Sequence, residues 1–241
     1  MNQSRIFRFI RQVRTEARTS LSRQITGRVK PCFFPIIFYY YIAVPVFQSG
    51  GVVNSEIRAF IAVDIPPLVR ERIRSFQLPL RAIPADIKWV RPENMHVTLK
   101  FLGDIAAGRV PEILHAIQDI AVSRRPFRVS LCGTGAFPDG SRPRVLWIGI
   151  ENGHAALSRL AESIEQKFAI LGFEREKRAF SAHLTLGRVR SREGFTEVIA
   201  AMERRVFQTD PYRIEDVVLY GSELKPSGPV YTELGRVQLK G

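Results

Sequence analysis

The tetrapeptide His-x-Thr-Leu occurs twice, as His96-Val97-Thr98-Leu99 and as His183-Leu184-Thr185-Leu186, and takes up half of the chain's four histidines. Each copy lies in a short apolar run of strand character. A strand sends residues i and i+2 to one face. Each copy therefore presents an imidazole and a hydroxyl side by side, and turns Val97 and Leu99, or Leu184 and Leu186, toward a core. A fold that satisfies both copies needs two half-buried strands. Brought across a cleft, the two pairs would supply two proton-transfer groups and two hydroxyl donors, the equipment for cleaving a phosphodiester without a metal. One copy alone would more often be a partly buried strand histidine; the duplication, with Leu after Thr both times, favours chemistry.

The surrounding pattern predicts strands at Ile57–Val63, His96–Phe101 (ended by Gly103-Asp104), Phe127–Leu131, Val145–Ile150, His183–Val189, Ile214–Tyr220 and Tyr231–Leu239. Helices are expected from Pro66-Pro67 onward with Leu68, Val69, Ile73 and Phe76 on one side, over Pro111–Val122, over Leu157–Leu171 with Gly172 closing it, and over Thr196–Met202. Strands and helices in mixed order, with hairpin-like pairs, argue for an α+β fold. The expected architecture is bilobal: two similar lobes, each a small, largely antiparallel sheet backed by helices, with the active-site cleft between them. Outside the two tetrapeptides the halves share little sequence.

Residues 1–55 differ from the rest. They hold eight Lys or Arg against one acid, Glu16, which leaves 28 basic and 22 acidic residues in the remainder of a chain of net charge +13. The apolar run Pro31–Phe47 is broken by Pro35 and Pro45 and is short of the roughly 20 residues a membrane span needs. A transit-like or surface-binding segment is one reading. The favoured one is an N-terminal extension, disordered or an over-extended reading frame, because Gly50-Gly51-Val52-Val53-Asn54 precedes the first clean strand and valine codons can start translation. Residues 56–241 are then the functional domain. Its positive excess steers polyanions such as RNA, and is equally a solubility feature.

Cys32 and Cys132 form no disulfide framework, which fits a reducing, cytoplasmic setting. No His/Cys spacing suggests a metal site, and no glycine-rich nucleotide loop is present, so no cofactor is expected.

Histidine titrates near working pH, so one imidazole suits the base and the other the acid of a phosphodiester cleavage. The hydroxyls of Thr98 and Thr185 suit the non-bridging phosphate oxygens. Parity puts Lys100 on the face of His96 and Thr98, where it would reach the same anion or end as a solvated strand-end lysine. Strict alternation puts Arg188 on the wrong face, so it contributes only if the strand bulges or ends. Phe180 would stack on a base or join the core. Arg144 would contact phosphate or stay on the surface. His115 and His154 lack partners.

These residues resemble the two-histidine phosphoesterases. Met95-His96-Val97-Thr98-Leu99-Lys100-Phe101-Leu102-Gly103 and Ala182-His183-Leu184-Thr185-Leu186-Gly187-Arg188 look like that group's two signatures, Arg58–Pro66 like its opening strand, and Tyr220-Gly221-Ser222-Glu223-Leu224 with Gly228 and Tyr231 like its closing hairpin. Within the group the similarity is to RNA 2′,3′-cyclic phosphodiesterases, also called 2′-5′ RNA ligases, over roughly Glu56–Leu239. The resemblance implies metal-independent hydrolysis of a 2′,3′-cyclic phosphate on RNA or a small cyclic nucleotide, with His96 as proton donor and His183 as proton acceptor. The residues themselves leave those two roles interchangeable. A monomer, with no membrane association of the core domain, is expected. Two alternatives stay open: a 2′-5′ RNA ligase running the same chemistry backwards, and a non-catalytic RNA-binding module.

Overall fold

From Ala59 to Val63 the first strand is buried on both faces. In β1 (Glu56–Asp64), Ala59, Ile61 and Val63 enter the main core, while Phe60 and Ala62 face the other way. The computed structural model describes residues 55–241 except Arg192 and Ser227. The expectations for residues 1–54, including the extension, therefore lie outside the described residues.

After β1 come α1 (Pro67–Arg81), β2 (Ile87–Trp89), a 3-10 turn at Pro92–Asn94 and β3 (His96–Ala106). Next are α2 (Val110–Ala121), β4 (Phe127–Val129), β5 (Leu131–Phe137), β6 (Val145–Ile150), α3 (His154–Ile170) and β7 (His183–Val189). The chain closes with α4 (Phe195–Glu203), β8 (Tyr212–Ile214), β9 (Asp216–Lys225) and β10 (Gly228–Gln238). Two four-stranded sheets result, in the orders β10-β9-β1-β3 and β2-β7-β6-β5, and β4 and β8 form a small ribbon. All pairings are antiparallel. Helices α2 and α3 back the first sheet; α1 and α4 back the second. The fold is the expected α+β arrangement of two sheet-and-helix lobes, and β3 lies against β7 where they meet. Each lobe draws on distant stretches of chain. The first sheet takes its strands from Glu56–Ala106 and Asp216–Gln238, which encloses the second in sequence.

The helices form where apolar residues recur at helical spacing. Ile113, Ala116, Ile117 and Ile120 are buried on α2, and Leu157, Leu160, Ala161, Ile164 and Phe168 on α3. Full burial of each such large side chain contributes about 1.5–3 kcal/mol. On α1, Val69, Ile73 and Leu80 turn inward, but Leu68 is exposed, because it lies about 100° around the helix from Val69.

Among the strand expectations that change, two bear on the site. His96–Phe101 does not end at Gly103: the strand runs on to Ala106, and Gly103 carries the left-handed backbone (φ +72°) that an irregularity in the pairing requires. Phe127–Leu131, expected as one strand, breaks at Ser130, and the chain runs on as β5 through Phe137, where a Gly/Pro/Asp-rich loop is expected. The glycines of β5 lower strand propensity, but Gly135 lies opposite Trp147 of β6 and makes room for the indole. Among the described residues no helix is long and apolar enough to cross a membrane.

Candidate active site

Both motif histidines open a strand, His96 at the start of β3 and His183 at the start of β7. Each ring makes the same bond. His96 Nδ1 lies 2.9 Å from the carbonyl oxygen of Asn94, and His183 Nδ1 lies 2.7 Å from that of Ser181. A carbonyl only accepts, so Nδ1 is the donor in both rings. Each Nε2 is thereby left free of that bond, a lone-pair acceptor when the ring is neutral and an N–H donor when it is charged. Asn94 is itself anchored, its Nδ2 donating to the carbonyl of Pro229 at 2.9 Å.

Thr98 and Thr185 follow two residues on, half-buried on the same faces as their histidines. Among the described residues neither hydroxyl has a side-chain hydrogen bond.

After the threonines both strands break step. In the β1–β3 ladder Ala62 pairs with Thr98 and Ile61 with Lys100, which leaves Leu99 unpaired. In the β6–β7 ladder Trp147 pairs with Thr185 and Leu146 with Gly187, which leaves Leu186 unpaired. Each motif thus carries a β-bulge at its leucine, and a bulge reverses the parity of everything beyond it. The carbonyl of Leu186 is taken up by Val90 N–H at 2.9 Å and by Gln77 Nε2 at 3.0 Å, the latter a buried amide reaching over from α1.

The bulges redistribute the expected anion contacts. Lys100 falls on the core side. Its Nζ lies 2.8 Å from both oxygens of Glu165 and 2.8 Å from the carbonyl of Glu174, and the residue is buried. All three ammonium donors are used, so the expectation that Lys100 reaches the anion bound by His96 is corrected: strict alternation does not survive the bulge at Leu99. Arg188 meets the condition set for it, since the bulge at Leu186 turns it to the His183 face. It is exposed, and its charge acts on the phenol of Tyr231 in the other sheet. Arg144 is exposed just before β6, its backbone bonded to Phe137 and Val189. Phe180 is partly buried against the core, the plainer of its two readings.

An aromatic wall surrounds His96. Phe60 stacks on the imidazole with centroids 4.6 Å apart, Tyr231 meets it edge-on at 5.3 Å, and Tyr220 lies 6.1 Å away. Burial pushes the His96 pKa down to about 4, against the opposing influence of the Asn94 carbonyl and the Asp64 carboxylate; the Arg70 charge adds to the lowering. His183 is less enclosed, with the edge of Phe137 5.1 Å away and Trp147 beyond it at 5.2 Å from Phe137. Among the described residues the buried Trp147 Nε1 has no partner. Sequence reasoning did not assign Phe60, Tyr220, Tyr231, Phe137 or Trp147 to the site. The signal available was that Phe60 occupies an outward position in a strand whose other face is the core.

Among the described residues no cluster of three or more His, Cys, Asp or Glu side chains is arranged to hold a metal ion. The candidate site comprises two imidazoles, two hydroxyls and a guanidinium carried by β3 and β7, which lie against each other.

The chain matches the family described as LigT like Phosphoesterase twice, over residues 63–147 and 148–231, with one His-x-Thr-Leu in each match. A Methanothermobacter thermautotrophicus protein named RNA 2′,3′-cyclic phosphodiesterase is 37% identical over 74% of this chain and 97% of its own length. One of the same name from Archaeoglobus fulgidus is 36% identical over 73% and 97%. Among solved structures, Thermus thermophilus TT0787 aligns with a TM-score of 0.65 and 31% identity, covering 77% of this chain and 99% of its own. E. coli LigT complexed with 3′-AMP aligns with a TM-score of 0.64 and 25% identity, covering 78% and 100%. With a family match in each half of the sequence and relatives above 30% identity along nearly their whole length, the chain belongs to the LigT-like phosphoesterases.

Proposed function

We propose that this chain hydrolyses the 2′,3′-cyclic phosphate of an RNA end, or of a small cyclic nucleotide, to a 2′-phosphate, with His96 and His183 as the acid–base pair and no metal in the reaction. The observation that carries this reading is the matched bonding of the two rings: each Nδ1 is spent on a backbone carbonyl, and each Nε2 is left for proton transfer. The names of the curated relatives supply the substrate class.

In the reaction, His183 Nε2 takes a proton from water as the water oxygen bonds to phosphorus. The bond from phosphorus to the ribose 3′ oxygen breaks, and that oxygen takes the proton from His96 Nε2. Thr98 and Thr185 donate to the non-bridging oxygens, and Arg188 offsets their charge. Each proton transfer accounts for about 10²–10⁴-fold in rate. His96 is neutral in the unliganded protein at pH 7, since its pKa is about 4. A phosphate anion beside the ring raises that value and lets the imidazolium form where it is needed.

The test is turnover of nucleoside 2′,3′-cyclic phosphates in excess chelator, with His96→Ala and His183→Ala as controls. Conversion to the 2′-phosphate, lost in both variants, supports the reading. No turnover of any cyclic phosphate, or turnover that chelator abolishes, overturns it.

A further inference from the structure

Asp64 ends β1, and its partner across the ladder is His96. Residues paired in this way share a face, with Cβ atoms about 4.5–5.5 Å apart. Yet the carboxylate makes no hydrogen bond to the ring, whose Nδ1 is given to Asn94. It is held from the other side. Tyr220 Oη donates to Oδ1 at 2.7 Å, Arg236 Nη2 donates to Oδ2 at 2.7 Å, and Arg70 Nη2 stands 3.8 Å from Oδ1. Arg236 is fixed in turn by Glu233 at 2.6 Å and Asp216 at 3.4 Å.

This is more machinery than a strand end requires, and partly exposed ion pairs add little to stability. It does, however, address a problem at His96. Burial disfavours the imidazolium, and an acid must carry a proton to give. The charged and titratable groups around the ring come from several elements: Asp64 on β1, Arg70 on α1, Tyr220 on β9, Tyr231 on β10, and Arg188 and Arg58 beside Tyr231. Both tyrosines are held protonated, chiefly by burial. Among the described residues, Asp64 is the anion acting directly on the ring, and Arg70 the opposing cation.

We propose that Asp64 is a positioning residue for His96: clamped by Tyr220 and Arg236, its carboxylate supplies the fixed negative charge that supports the imidazolium during proton donation. This rests on His96 being the proton donor of the reaction proposed above.

The test follows the four imidazoles of the full-length protein by NMR titration, with and without inorganic phosphate, alongside steady-state kinetics. Asp64→Asn keeps an acceptor for Tyr220 and removes the charge. It is expected to move the His96 midpoint down by roughly one pH unit and to lower kcat on the order of 10-fold with KM nearly unchanged. Asp64→Glu restores much of both. Arg70→Met is expected to move the midpoint upward, and it keeps the proposal testable if Asp64→Asn does not fold. Structural damage would shift the two variants alike; opposite signs are specific to charge. A His96 midpoint unmoved by Asp64→Asn, or moved the same way by both substitutions, overturns the proposal. The titration needs no turnover, so its failure is separable from failure of the hydrolysis assay.

Discussion

Lys100 and Glu165 form a buried ion pair, with Nζ 2.8 Å from each carboxylate oxygen and the lysine side chain only 2% exposed. The third donor of Lys100 reaches the carbonyl of Glu174, and Glu165 Oε2 also accepts the backbone N–H of Glu176 at 3.3 Å. One residue past the first motif, the pair holds the chain segment that leads into the second.

Removing one partner of a buried pair leaves the other charge unmatched, typically at 3–5 kcal/mol. Glu165 is 22% exposed, so water recovers part of this. Lys100→Met should therefore destabilise by about 2–4 kcal/mol. Lys100→Met combined with Glu165→Leu should recover much of the loss. Denaturant unfolding of the three variants checks this. Unchanged stability in the single variant would show the pair to be incidental.

Much of the site could be read in the sequence because the motif repeats. The pairing of His96 with Thr98, and of His183 with Thr185, follows from strand parity over two residues, and parity holds over that span. It fails one residue later in both strands. A bulge is set by pairing with a neighbouring strand, and nothing in Thr98-Leu99-Lys100 alone announces it. Lys100 was thus placed on the wrong face, and Arg188 could be placed only conditionally. Phe60 was hidden differently. An aromatic residue in a strand reads as core, and only the tertiary approach of Tyr220 and Tyr231 makes it the backing of a histidine. Most of β5 is hidden in the sequence because Gly133 and Gly135 read as loop until Trp147 is placed above one of them.

The bulge at Leu186 leads to a prediction about Arg188. Its guanidinium is on the His183 face without an ion-pair partner among the described residues, and its charge reaches Tyr231 across the cleft. A hydrogen bond to a charged group contributes about 1.5–3 kcal/mol. Arg188→Met should lower kcat/KM for a 2′,3′-cyclic nucleotide by roughly 10- to 100-fold with little change in unfolding midpoint. Arg144→Ala should have a much smaller effect. Equal losses in the two variants would mean that the bulge does not select between them.

Gly135 makes a prediction about the floor beneath His183. A Cβ there would lie 2.3 Å from Trp147 Cζ2, so Gly135→Ala must displace the indole. Trp147 pairs with Thr185, and Phe137, next to it, touches His183. Overpacking of this kind destabilises by about 1–3 kcal/mol. The variant should show altered tryptophan emission and reduced kcat along with lower stability. Emission and kcat identical to the parent would show that the indole moves without consequence for Thr185.

His96 links the site to the pH dependence of folding. Its pKa is 6.5 in the unfolded chain and about 4 in the native one, so the native state disfavours the proton. Above pH 6.5 the ring is neutral in both states and this contribution is fully present. As pH falls below 6.5 the unfolded chain binds a proton that the native protein refuses, so stability declines until about pH 4, where both are protonated. The limiting slope is about 1.4 kcal/mol per pH unit, and the whole window amounts to about 3.4 kcal/mol at most. Carboxylates held below their ordinary range, such as Glu93 by its own backbone N–H and then Arg74, and Asp119 by Lys167, lose their contribution at lower pH, below their ordinary values near 4, so the two effects separate. Urea unfolding between pH 4.5 and 7 should show the decline in the parent and a much flatter profile in His96→Gln. Inorganic phosphate should flatten the parent's profile as well, because an anion beside the ring raises the native pKa toward the unfolded value. A parent profile already flat across this window would mean that burial does not hold the imidazole neutral, and the acid of the reaction would then need no help from a bound phosphate.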